Sequence, residues 1–287
     1  MRPRPRLSTY FSVSVQLSAL HLYPVKSCRG LSVTSAAIDA FGLVGDRRFM
    51  VVNAADGQFI TQRTHPRMAL IETTLSADAL ILSSPNQGEV SVPRFTCGTI
   101  TPRKITVWSH AAIADDCDDA AAEWLTRFLG QPVRLVRMGT AFHRPIKAHR
   151  GPADDAVSFA DGYPVLMLSE GSLAQLNDRL IAQQEDALPM NRFRPNLVVS
   201  GCAAFAEDGW LRLTINDVDL RHAGLCARCA VTTIDQLTAA RGLEPLPTLA
   251  AYRRDPTDAT KINFGVNFIN ETKQGTIRVG DRVIVMP

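Results

Sequence analysis

Through residues 17–108 the apolar positions recur every second residue, in short runs. Residues 17–23 and 31–38 alternate, and residues 49–53 and 58–62 flank Ala54-Ala55-Asp56-Gly57. A period of two sends alternate side chains to opposite faces of an extended backbone, and the Asp-Gly pair suits a tight turn, so this stretch predicts a hairpin. Residues 68–75, 79–82, 89–92 and 104–108 continue the series, and no helical stripe interrupts it.

The period changes at Asp118-Asp119. Ala122, Leu125, Phe128 and Leu129 then share one helical face, opened by acidic residues and stopped by Gly130 and Pro132. Residues 133–136 return to a strand. Residues 142–155 are rich in Arg, His and Pro and read as a loop near a domain boundary. Beyond it the types mix. Residues 165–168 and 196–200 predict strands. Ser169 or Ser172 caps a helix with Leu173, Leu176, Leu180 and Ile181 inward. Residues 210–215 and 218–221 flank Asn216-Asp217 as a hairpin, residues 246–252 suggest a short helix, and residues 264–269, 276–279 and 282–286 close the chain as strands. A β-dominated chain with a few helices fits a barrel with helical additions better than a doubly wound sheet.

Length and charge narrow the classes. A chain of 287 residues, 46% hydrophobic and 21% charged, suits one large or two medium globular domains. A net charge of +3 gives no case for a nucleic-acid surface. Six scattered cysteines do not form a dense disulfide framework. The basic leader, residues 1–16, lacks the apolar region and cleavage site of a signal peptide, and no apolar run is long enough to span a bilayer. These readings predict a cytoplasmic monomer without membrane contact.

The chemistry concentrates in residues 222–235, His-Ala-Gly-Leu-Cys-Ala-Arg-Cys-Ala-Val-Thr-Thr-Ile-Asp. Cys226 and Cys229 flank Ala227 and Arg228, and the alternation of residues 230–235 predicts a strand. A guanidinium beside a thiol favours the thiolate, the form that attacks electrophiles and binds soft metals. Cys229 is therefore the candidate reactive centre. The spacing alone leaves alternatives: a redox pair, half a zinc site, or two packed thiols.

Several ordered motifs resemble one family. His-Leu-Tyr-Pro-Val-Lys-Ser-Cys-Arg-Gly (21–30), Gly-Asp-Arg-Arg-Phe-Met (45–50) and Phe-Ile-Thr-Gln-Arg (59–63) resemble the N-terminal β-barrel domain that precedes a MOSC domain. Phe-Ala-Asp-Gly-Tyr-Pro (159–164), Arg-Phe-Arg-Pro-Asn (192–196), Cys-Ala-Arg-Cys (226–229) with Thr232-Thr233, and Gly-Asp-Arg-Val (280–283) resemble the MOSC domain itself. The resemblance extends to the amidoxime-reducing components and their bacterial counterparts. It implies a mainly β, α+β chain: an N-terminal β-barrel-like domain over residues 17–140, then a MOSC β-barrel with peripheral helices over residues 141–287.

The resemblance also implies a molybdenum cofactor, with Cys229 as the metal ligand and catalytic centre. Lys26, Ser27, Arg47, Asp161, Gly162, Tyr163, Arg194, Asn196 and Arg228 map onto residues that hold the pterin and its phosphate. Residue chemistry agrees: Lys26, Arg47 and Arg194 suit a phosphate, and Asp161 and Asn196 suit a pterin edge. At Gly162 and Tyr163, where a relative can carry small hydroxyl residues, contact is expected from backbone. The implied reaction is two-electron N–O cleavage in hydroxylamines, amidoximes and N-oxides, a detoxifying chemistry. A sulfur carrier using a cysteine persulfide, or a protein that stores or delivers the cofactor, are the alternatives. No cysteine follows Cys229 for a [2Fe–2S] cluster, and no G-x-G-x-x-G fingerprint marks an NAD or flavin site. A separate electron-donor protein is therefore expected.

Overall fold

Leu17, Leu20 and Leu22 set the architecture. They are the buried residues of strand β1 (Gln16–Leu22), each worth roughly 1.5–3 kcal/mol on burial. The computed structural model describes residues 14–95, 101–146 and 155–286. Most of the expected leader, Cys97, and much of the loop expected at 142–155 lie outside the described residues.

β1 is followed by β2 (Leu31–Val33), β3 (Ser35–Asp39), β4 (Gly42–Leu43), β5 (Phe49–Asn53), β6 (Glu72–Leu75), β7 (Ala79–Ser84), β8 (Gly88–Pro93), β9 (Pro102–Val107) and β10 (His110–Asp116). Helix α1 (Asp119–Leu129) leads to β11 (Val133–Arg137). Then come β12 (Val165–Ser169), α2 (Glu170–Ala182), β13 (Leu197–Ser200), β14 (Arg212–Ile215), β15 (Val218–Ala227), α3 (Leu246–Ala250), β16 (Asn263–Asn270), β17 (Thr276–Arg278) and β18 (Val283–Met286). The fold is mainly β, as expected.

The largest sheet runs β18-β14-β15-β16-β12-β13-β1-β2. Its strands are antiparallel except β12 and β13, which α2 joins by the crossover that a parallel pair requires. β1 pairs with β13, Leu20 opposite Leu197, so a strand from the start of the chain completes a sheet built from its second half. One core holds Leu17, Leu20, Leu22 and Ile38 together with Met167, Leu197, Val266 and Phe268. A second lies under α1, where Trp124, Leu125 and Phe128 meet Phe49, Val51 and Leu135. Asp118 caps α1 by accepting from Ala121 N, and Gly130 ends it in the left-handed conformation.

Four local expectations are corrected. Residues 66–70 form a 3-10 turn before β6, because Pro66 cannot donate to a ladder. Residues 58–62 make two isolated bridges, Phe59 to Val52 and Gln58 to Thr106, rather than a strand. Ile181 is 60% exposed; Leu176 and Leu180 carry the buried face of α2. Residues 230–235 are not a strand. β15 ends at Ala227, and Ala230–Thr233 is a 3-10 turn. There Thr232 Oγ1 donates to the Cys229 carbonyl (3.0 Å) and Thr233 Oγ1 to that of Ala230 (2.9 Å). These local bonds hold the backbone in a tight turn.

Candidate functional site

One cleft between the two halves of the chain encloses about 810 Å³ of space, counted out to solvent. All ten residues singled out from the sequence line it. Its floor is irregular backbone. Ser27 (φ 68°), Arg47 (φ 47°) and Arg194 (φ 55°) all adopt the left-handed region, which costs a side-chain-bearing residue of order 1–3 kcal/mol. Such backbone persists only where its surroundings fix it. Lys26 N donates to Phe49 O (2.8 Å), and Arg47 N to Tyr23 O (2.8 Å).

Positive charge dominates the lining. Lys26, Arg47, Arg63, Arg194 and Arg228 face one carboxylate, Asp161, and a second, the buried Asp46, sits behind Arg47 at 2.6 Å. Five cations thus meet two carboxylates, an excess of three positive charges among the five cations. Two are held on an aromatic ring: the guanidinium carbons of Arg47 and Arg194 lie 4.3 and 4.2 Å from the Tyr23 centroid. Burial, reinforced by the neighbouring Arg47 charge, pushes Arg194 down to about 10. Burial also lowers Lys26, against the pull of Asp161, with which it forms a short ion pair. Desolvation by the cleft walls opposes ionisation of Asp161, but Lys26, with Arg63 and Arg47, holds its carboxyl below the usual carboxylate range. Burial raises the Tyr23 phenol to about 12, so it stays a donor, bonded to Pro195 O at 3.1 Å.

Asn196 is 1% exposed and lines the cleft. Its Oδ1 accepts from Arg47 Nη1 (2.9 Å) and Leu166 N (3.2 Å), and its Nδ2 donates to His21 O (3.2 Å). These bonds fix Arg47 and the start of β13. Asp161 stands at the mouth, its side chain 64% exposed. A Cβ on Gly162 would meet nothing within 4 Å, so that face is open space. Tyr163 packs against the small core of Val157, Ala223 and Ile269.

The thiols are arranged differently from the expectation. Arg228 does not face Cys229; its Nη1 donates to Cys226 Sγ (3.0 Å) and its Nη2 to Phe193 O (2.6 Å). With β15 ending at Ala227, the next residues turn, and Arg228 and Cys229 point to different neighbours. The guanidinium at Cys229 belongs to Arg63, whose Nη2 lies 3.1 Å from Sγ. Arg63, Thr61 and Asn267 line the cleft and were missed as site residues. The Thr-Gln-Arg run at 61–63 was the available signal for the first. Cys28 is fully buried in the core under α1. Cys226 and Cys229 are half-buried free thiols. Among the described residues no group of three or more His, Cys, Asp or Glu could hold a metal ion. No helix of the described residues is long and apolar enough to cross a membrane.

A pocket between a β-rich N-terminal half and a thiol-bearing sheet defines a class. Residues 14–132 match the MOSC N-terminal beta barrel domain, and residues 154–284 match the MOSC domain. The chain is 39% identical over 286 residues to "Mitochondrial amidoxime-reducing component 1" of Homo sapiens, covering 94% of this chain and 82% of that protein. It is 37% identical over 287 residues to "Mitochondrial amidoxime reducing component 2" of Bos taurus, covering 94% and 83%. The chain belongs to the MOSC-domain family that includes the amidoxime-reducing components.

Proposed function

We propose that this protein reduces N-hydroxylated compounds with a molybdenum cofactor bound in the cleft and Cys229 as the protein ligand to the metal. The observation that carries the reading is the meeting of Lys26, Arg47 and Arg194 with Cys229, across both halves of the chain, in one cleft whose cations outnumber its carboxylates by three. Collecting buried cations is costly unless an anion neutralises them, and a pterin phosphate is a dianion. The donor set fits that group. Arg228 Nε is buried with no partner among the described residues, a donor free for an acceptor on the ligand.

In this reading Lys26, Arg47 and Arg194 hold the phosphate, and Ser27 adds a hydroxyl. Asp161, Gly162 and Tyr163 border the open side, Arg228 meets the pterin flank, and Asn196 keeps Arg47 in place. The bound cofactor supplies the two electrons of the reaction. The balance is R–NH–OH plus two electrons and two protons giving R–NH2 and water. The open mouth beside Asp161 admits substrate and solvent protons. Electrons come from a separate donor protein.

The test is protein made in a cofactor-competent host, assayed for molybdenum and pterin, then for amidoxime reduction by reduced viologen dye. Metal and turnover are expected together, which separates this reading from a persulfide carrier and from a delivery protein. Cys229→Ala should abolish turnover while the fold survives, and Cys226→Ala should be milder. Wild-type turnover by Cys229→Ala would falsify the assignment.

A further inference from the structure

Arg63 is held at every handle. Its backbone N donates to Thr61 Oγ1 (3.2 Å), and its carbonyl accepts a short bond from Arg241. Its guanidinium donates to Cys229 Sγ at 3.1 Å, lies 3.9 Å from Asp161 Oδ2, and sits over the Trp108 ring with Cζ 4.5 Å from the centroid. Residue 63 belongs to the N-terminal half and Cys229 to the other.

Trp108 is costly where it stands. His110 pairs with Val107 across β9 and β10, so Trp108 and Ser109 form a two-residue hairpin turn. Such turns favour asparagine or glycine because they need positive φ, yet Trp108 adopts φ 58° and is 42% exposed. Its ring leans on Phe59 at 5.1 Å and faces Lys26 Nζ at 5.9 Å as well as Arg63. An indole in a position the backbone would give to asparagine, stacked on the one guanidinium that touches Cys229 Sγ among the described residues, is a brace for that guanidinium.

We propose that Arg63, braced by Trp108, is the positioning residue that orients the Cys229 sulfur. The inference rests on the reading of Cys229 as metal ligand. An N–H donor to a ligating sulfur fixes its direction and draws electron density from it, and loss of such outer partners typically costs about 10–100-fold in affinity or activity. Arg63 is not needed for the phosphate, which in the proposed function falls to Lys26, Arg47 and Arg194. Its removal should therefore spare pterin binding and alter the metal.

The experiment compares wild type, Arg63→Met, Arg63→Lys and Trp108→Asn, each loaded in a cofactor-competent host. For Arg63→Met, pterin and molybdenum content should stay within about twofold of wild type. kcat per bound molybdenum should fall about tenfold or more with KM little changed, and the Mo(V) electron paramagnetic resonance g-values should shift. Arg63→Lys should fall between the two. Trp108→Asn suits the turn, so its melting temperature should not drop, yet its kcat and spectrum should move toward those of Arg63→Met; it decides the matter if Arg63→Met does not fold. Parallel loss of pterin and metal, with wild-type kcat per molybdenum in what remains, would show Arg63 to be a counter-charge and overturn the proposal, as would unchanged spectra and rates. A cofactor-free crystal structure of Arg63→Met gives a readout independent of the metal. The Cys229 side chain should leave its wild-type rotamer, and an unchanged rotamer overturns the proposal whether or not molybdenum is bound. Absence of molybdenum from the wild type sinks instead the reading of Cys229 as ligand.

Discussion

Replacing Asn196 by leucine removes a junction rather than a contact. The amide ties three parts of the chain: the Arg47 turn, β12 through Leu166 N, and β1 through His21 O. The backbone at the same residue makes two further bonds, from His21 N to its carbonyl (2.8 Å) and from its N–H to Leu166 O (2.7 Å), which survive the substitution. The bond to charged Arg47 is worth about 1.5–3 kcal/mol and the two neutral bonds about 1 kcal/mol each, so Asn196→Leu should cost roughly 3–5 kcal/mol. For a chain of this size that corresponds to a fall in melting temperature of roughly 5–8 °C. Asn196→Asp keeps the acceptor for Arg47 and Leu166 N and loses only the donor to His21 O, so it should melt between the two. Calorimetry of the cofactor-free proteins gives the order, and pterin content of the loaded proteins should fall in the same order as Arg47 loosens. A melting point for Asn196→Leu within about 2 °C of wild type, or an aspartate variant weaker than the leucine one, would refute the reasoning.

Other consequences can be measured directly. Burial disfavours the charged forms of Lys26 and Arg194, so each costs stability below its folded-state value, about 10 for Arg194, and the cost fades as pH rises through it. At neutral pH inorganic phosphate should therefore stabilise the cofactor-free protein, by about 1.4 kcal/mol at ten times its dissociation constant, and Arg194→Met should lose most of that shift in a thermal melt. Burial raises the Cys28 thiol to about 12, so iodoacetamide at pH 8 should leave it unmodified until the chain unfolds, as mass spectrometry of labelled peptides would report. Gly57 has φ 69°, and a Cβ there would lie 2.3 Å from Lys104 O, so Gly57→Ala should destabilise by more than about 2 kcal/mol in urea titration.

Where sequence succeeded and where it failed follows from how local each signal is. The β-rich character, α1 with its cap at Asp118, and the ten lining residues were legible because period, capping chemistry and ordered motifs are written in neighbouring positions. The turn at Ala230–Thr233 was not. Ala-Val-Thr-Thr-Ile-Asp alternates like a strand, and only the threonine hydroxyls turning back on the chain reveal the difference. β10 was missed because His-Ala-Ala-Ile-Ala-Asp-Asp carries little alternation, and its extended form comes from pairing with β9. The partner of Cys229 was misassigned for the same reason. Arg228 is its neighbour in sequence and Arg63 its neighbour in space, separated by 166 positions.

The pairing of β1 with β13 also has a consequence for how the protein is made. Leu17 and Leu20 are synthesised first, but their partners Val199 and Leu197 follow some 180 residues later. At roughly 5–20 residues per second that is an interval of about 10–35 s. During it the apolar strand β1 has only the three-residue β2 to pair with, on one of its two edges. The second half cannot close its largest sheet on its own either, since β1 and β2 fill its end. The pairing of β1 with β13 therefore waits for synthesis to pass residue 200, whereas the core under α1 is built from residues that precede it.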